Sequence, residues 1–197
     1  MKLAPNAKYN FFVAEIAKLK RPFVKWRGLL FRASPLQFAQ ATRLMDGIGS
    51  YRWGGRWCAP GVFPAVNTST DPAIALAESG ASFAYYNWAA GDVRPKIIVA
   101  ASAKFSRIAD LTSIGASWVN VKELMREDWH KSNAARYESL TQAFGRAAHD
   151  CGAEGLLVPS ARIPSGVNLV YFPETLDKES EVKLMGRQEV ERWIRKR

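Results

Sequence analysis

The chain has 197 residues, a length for one domain, and 48% of them are apolar, with seven Trp, ten Phe and six Tyr, which argues against disorder and supplies one core. Its 28 Lys and Arg against 18 Asp and Glu give a formal charge of +10, so anionic partners gain from the long-range field, although the charge does not say which anion. Only Cys58 and Cys151 are present, without a CxxC pattern, no run approaches the roughly 20 apolar residues of a membrane span, and the start of the chain lacks a signal-peptide h-region; a reducing cytoplasm is the expected compartment.

Residues 8–20 pattern as a short amphipathic helix, with Phe12, Ile16 and Leu19 on one face, appended to the main body. Residues 26–31 read as a first strand with Arg32 at its end, and Ser34-Pro35 as the cap and first position of a helix reaching Met45. The stretch 46–64 contains GIGSYRWGGRWCAPG and reads as a structured loop, glycines giving the turns and Tyr51, Trp53 and Trp57 the anchors. A short strand at 65–68 precedes a helix opened by Asp71-Pro72 and running through DPAIALAESGASFAYYNW. Strands are expected at 95–101, in a central position, and at 105–111, and helices at 121–129 and 133–150. EGLLVPS and GVNLVYFP follow as strands, then a strand at 181–184 and a basic helix from Arg187. With no repeat in the chain, the expected class is α/β in the α+β sense, a compact mixed sheet with helices around it. The units are an extension at 1–25, a main domain at 26–175, and a strand and basic helix at 176–197 packed on the same domain.

Four residues carry most of the chemical interest. Arg56 follows Gly54-Gly55, where the backbone can approach a ligand and a guanidinium offers a planar fork to phosphate or carboxylate; a surface Arg in a turn is the plain alternative. Glu78 lies seven positions after Asp71, with Ile74, Ala75, Ala81 and Ser82 as its helical neighbours, so its carboxylate needs solvent or a partner. It either pairs with Arg32 or Arg56 for structure or faces a cleft and stabilises developing positive charge. Ser160, ending a strand in VPSAR with Arg162 close behind, suits hydrogen bonding to a ribose hydroxyl or a phosphate oxygen. A hydrolytic triad is not supported, for there is no GxSxG elbow, and His130 and His149 show no metal-ligand pattern and read as surface or packing residues. GxGxxG and GxxxxGK[ST] are absent, so arginines would have to hold any phosphate.

At these residues the chain resembles the RES family, named for Arg, Glu and Ser. GSYRWGGRWCAPGVFPAVNTSTDPAIALAES is similar to the family's glycine pair, Arg, Trp, Pro-Gly turn, strand and Glu-bearing helix; EGLLVPSARIPSGVNLVYFP is similar to its Pro-Ser-Ala-Arg segment and the strand after it. With Leu30-Phe31-Arg32, the likeness spans about residues 26–175. The resemblance implies a fold related to ADP-ribosyltransferases, an NAD-binding catalytic domain over 26–175, NAD as substrate, no metal, and a toxin role beside a cognate antitoxin with a helix-turn-helix region. Nucleic acid would then be met only through that antitoxin, no membrane is involved, and a homo-oligomer stays open. It implies catalytic roles for Arg32, Arg56, Glu78 and Ser160, and NAD contacts from Arg32, Tyr51, Arg56, Asn67, Ser160 and Arg162. Arg32 and Arg56 would hold the pyrophosphate or adjoining ribose, Glu78 would steady the ribose as nicotinamide leaves, and Ser160 would orient the nicotinamide end. Two positions depart from the family pattern. Asn67, eleven residues from both Arg56 and Glu78, stands where the family has Tyr, and Cys58 stands where it has Asn. An amide can hydrogen-bond but cannot stack as a phenol does, so either Tyr51 brings a ring from elsewhere in the loop, or the enzyme is slower, altered in substrate or inactive.

Three other functions compete: ADP-ribosyl transfer to a protein instead of NAD glycohydrolysis or phosphorolysis, a catalytically inactive binding protein, and a nucleic-acid module exploiting the basic runs, which no reading helix or paired aromatic strand motif supports.

Overall fold

Strand pairing sets the architecture of the computed structural model, which describes residues 2–85, 95–112 and 119–195. The strands are β1 (Val24–Pro35), β2 (Val66–Ser69), β3 (Lys96–Asp110), β4 (Gly155–Pro159), β5 (Val167–Tyr171) and β6 (Glu181–Leu184), in the sheet order β1-β2-β5-β4-β3-β6. β1 also pairs with β3, antiparallel, from Val24↔Ile108 to Pro35↔Lys96, so β1, β2, β5, β4 and β3 close into a ring, with β6 added beside β3. β3–β4 is parallel and the other pairings are antiparallel, giving the mixed sheet expected from the sequence.

The period-2 alternation of the strands fills two cores. Leu30, Val66, Phe105, Ile108, Leu169 and Tyr171 point into the ring and pack on one another. The alternate residues Ala109, Leu156, Val158 and Val170 face outward and meet Phe12 and Ile16 of α1 (Tyr9–Lys18) and Phe144 of α6 (Leu140–Asp150). The rings of Phe12 and Phe144 meet edge-on at 5.3 Å. Thus α1 is built into the core, and the preceding residues are tied down as well, Asn6 bonding Glu138 through its backbone N–H and its side-chain amide. The other helices are α2 (Ile48–Trp53), α3 (Pro72–Tyr85), α4 (Val121–Arg126), α5 (Trp129–Ala134) and α7 (Arg187–Arg195). Among the described residues, no helix is long and apolar enough to cross a membrane.

Several boundaries differ from the sequence reading for physical reasons. Ser34-Pro35 does not open a helix: Ser34 pairs with Ile97 and Pro35 with Lys96 at the end of the ladder, where a residue without an N–H is tolerated, and only a 3-10 turn follows at Leu36–Phe38. Arg32 is therefore inside β1, not at its end. The strands expected at 95–101 and 105–111 are one continuous strand, because Ala100–Lys104, weak in intrinsic strand preference, is held by β1 on one side and β6 on the other. The helix expected at 121–129 breaks at Glu127-Asp128, where the Asp128 carboxylate accepts the His130 and Lys131 N–H groups and starts α5. The helix expected from Asn133 begins instead at a capping box of Ser139 and Gln142, after Arg136 adopts a left-handed φ of 66°. The loop at 46–64 contains α2, and of its three expected anchors only Trp57 is buried, whereas Tyr51 is 40% and Trp53 82% exposed. The expected continuation of the alanine-rich helix to Trp88 falls outside the described residues.

Candidate active site

Glu78 is placed by two elements that meet at its carboxylate. α3 is started by Asp71, whose Oδ1 accepts the Ala73 N–H at 2.7 Å, with Pro72 at the first helical position. Two turns on, Oε1 of Glu78 accepts three hydrogen bonds, from Ser160 Oγ (2.5 Å), the Ala161 N–H (3.0 Å) and Asn168 Nδ2 (2.8 Å). Among the described residues Oε2 accepts none. Asn168 is fixed from its other side by Ser69 Oγ, which donates to Oδ1 at 2.6 Å from the directly paired position on β2. Ser160 is fixed by accepting the Arg162 and Ile163 N–H groups, each at 3.0 Å. The carboxylate is thus held by the β4–β5 connection and β5, and among the described residues it makes no ion pair with Arg32 or Arg56.

Arg56 sits in a four-residue turn closed by the Gly55 N–H donating to the Cys58 carbonyl at 2.9 Å. Gly54 has a φ of 77°, and a Cβ there would lie 2.9 Å from Pro60 Cδ, so both conformation and space require glycine. The turn is gripped by α6: Gln142 Nε2 donates to the Gly55 carbonyl at 2.9 Å, and Gly145 lets the helix backbone lie against the Trp57 carbonyl. The guanidinium donates to the backbone carbonyls of Glu127 (2.9 Å) and Met125 (3.4 Å). Burial pushes its pKa below the ordinary value; Glu78, then Glu127 and Asp128, act the other way, and Arg162 adds to the lowering. Arg56 is therefore within electrostatic reach of Glu78 without touching it.

Arg32 donates from Nη1 to the Asn67 carbonyl at 2.9 Å, and its Nε is buried with no hydrogen-bond partner among the described residues. Burial depresses this guanidinium too, opposed by Tyr171 and then Asp46. A half-buried cation with one backbone acceptor and a buried, orphaned Nε donor can bind an anion with little reorganisation.

These groups share a cleft of about 790 Å³. Arg32, Arg56, Asn67, Glu78 and Arg162, all singled out from the sequence, line it. Ser160 lies behind Glu78 and Tyr51 lies on α2, and neither is among the lining residues. Cys58 is buried in the core at 1% exposure. Sequence reasoning missed Asn168, whose only signal was an amide inside the apolar run VNLVY, and Ser69 opposite it. It also missed that Trp53, Asp128, Trp129 and His130 line the cleft. Burial, then Arg56, lowers the His130 pKa, and Asp128 opposes this.

Residues 29–193 match the family model described as RES domain, a span reaching beyond the 26–175 expected from motifs. No curated protein matches the chain. A chain in the crystal structure of the M. tuberculosis MbcT-MbcA toxin-antitoxin complex shares the fold with a TM-score of 0.65 at 20% identity, covering 95% of this chain and 97% of that one.

Proposed function

The chain belongs to the RES domain family, and we propose that it consumes NAD by breaking the bond between nicotinamide and ribose. The observation that carries this reading is the Glu78 carboxylate, pinned through Oε1 by three donors and lining the cleft that also holds two half-buried arginines. When the glycosidic bond breaks, its electron pair leaves with nicotinamide and positive charge builds on the ribose. A carboxylate that cannot swing away stabilises that charge more than it stabilises the neutral ring, which lowers the barrier. Glu78 is the catalytic group in this reading; Ser160 and Asn168 position it. Arg32, with its orphaned Nε, and Arg56 would hold the pyrophosphate, and Asn67 and Arg162 line the same cleft. An oxygen nucleophile then forms the new bond to ribose and loses its proton, and the identity of that nucleophile separates hydrolysis, phosphorolysis and transfer to a protein. Family membership, together with the shared fold, also supports a toxin role with a cognate antitoxin.

The test is chromatographic product analysis after incubating the purified protein with NAD, with and without phosphate, beside Glu78→Gln. Nicotinamide release that the substitution abolishes supports the reading, and a phosphate requirement identifies phosphorolysis. Intact NAD in every tube, with no label transferred to protein in an extract, overturns it.

A further inference from the structure

Trp53 is the anomaly of the cleft. An indole is among the most costly groups to leave in water, yet this one is 82% exposed, and among the described residues no ring stacks on it. It nevertheless lines the cleft, at the end of α2 and immediately before the Gly54-Gly55 turn. A second indole, Trp129, lines the cleft from α5; its ring is braced by His130, with centroids 3.6 Å apart and planes 29° apart, and it is half-buried. Both residues line the same cleft.

Both indoles are linked to Arg56. Its guanidinium bonds the Glu127 carbonyl, two residues before Trp129, and the Met125 carbonyl on the same segment. Trp53 is three residues before Arg56 in the chain. The cleft thus holds a pinned carboxylate, a cation suited to phosphate, and two indoles that the chain places close to that cation. Resting on the reading of the cleft as an NAD site, we propose that Trp53 and Trp129 form a base-stacking subsite for the purine end of the substrate, beside the Arg56 segment. A purine offers two flat faces and needs no counter-charge there, which indole faces supply. Nicotinamide belongs beside Glu78, where its bond to ribose must lie.

The experiment is calorimetric titration of the intact protein with adenosine monophosphate and, separately, nicotinamide mononucleotide, for the wild type, Trp53→Ala, Trp53→Phe and Trp129→Ala. Each alanine variant is expected to weaken adenosine monophosphate by about 10-fold, the range of one base–aromatic stack, with nicotinamide mononucleotide unchanged and Trp53→Phe close to wild type. Trp53 is on the surface, so its replacement leaves the fold intact, which circular dichroism checks. Unchanged adenosine monophosphate affinity in both alanine variants, or a loss confined to nicotinamide mononucleotide, overturns the assignment while NAD consumption can still stand. Tryptophan-dependent adenosine monophosphate binding by a protein that neither binds nor consumes NAD keeps the subsite and removes the reading on which its orientation rests.

Discussion

Gly145→Ala separates two effects that act in opposite directions on one helix. Alanine in a helix interior is worth about 1 kcal/mol over glycine. Here, however, the added Cβ would lie 1.9 Å from the Trp57 carbonyl oxygen, 2.9 Å from its carbon and 3.3 Å from its Cα. These are backbone atoms, so no rotamer relieves the clash, and α6 and the turn at 54–58 must separate by roughly 1 Å or more to regain contact distance. Overpacking of this kind costs about 3 kcal/mol, and the separation also strains the Gln142 bond to the Gly55 carbonyl. The clash outweighs the propensity gain, leaving a loss of about 2 kcal/mol and a Tm lowered by roughly 4–8 °C. Because the same turn carries Arg56, a displacement of this size is expected to reduce kcat/KM for NAD by about 100-fold. Differential scanning calorimetry and a nicotinamide-release assay on the same preparation measure both. A raised Tm, or a lowered Tm with full activity, would refute the argument that α6 sets the position of Arg56.

Asn168→Asp replaces the Nδ2 donor, 2.8 Å from Glu78 Oε1, by a second carboxylate, and is expected to lower NAD consumption by about 100-fold while circular dichroism stays native; wild-type rates would show that the anchoring of Oε1 is dispensable. Burial pushes the Cys58 thiol from 9.0 up to about 11. The folded state therefore favours the protonated thiol, and this contribution is complete below pH 9.0 and lost as pH rises through about 11. The loss amounts to about 2–3 kcal/mol, and urea unfolding at pH 8 and pH 11 should show it in the wild type and not in Cys58→Ala. An equal decline in both proteins would assign the alkaline loss to other groups.

The separate blocks that carry Arg32, Arg56, Glu78 and Ser160 were legible because each stands beside a strong local signal: a strand, a glycine pair, a capped helix, a Pro-Ser turn. What was not legible depended on partners distant in sequence. Asn168 becomes a site residue only because β5 pairs with β2 and sets it opposite Ser69, and strand alternation alone cannot say which face meets Glu78. Ser160 was identified, but its hydroxyl is directed at Glu78 by a tertiary contact 82 positions away in the chain. Ser34-Pro35 shows the opposite failure, a good local helix signal overridden by a ladder with β3. The break at Glu127-Asp128 was invisible for a related reason. The Glu127 carboxylate accepts the Leu140 and Thr141 N–H groups at 2.9 and 3.0 Å, so a residue that looks like the end of one helix caps another.

The ring of strands is closed unevenly. β1 and β3 are laced along nearly their whole length, whereas β1 meets β2 through the single pair Phe31↔Ser69. Beside that pair the Arg32 guanidinium reaches across to the Asn67 carbonyl, acting as a side-chain stitch where the backbone offers almost none. The cleft lies along this seam, with residues 31–33 on one lip and 67–69 on the other. A ligand that touched both lips would bridge two strands whose backbones are paired there only at Phe31 and Ser69.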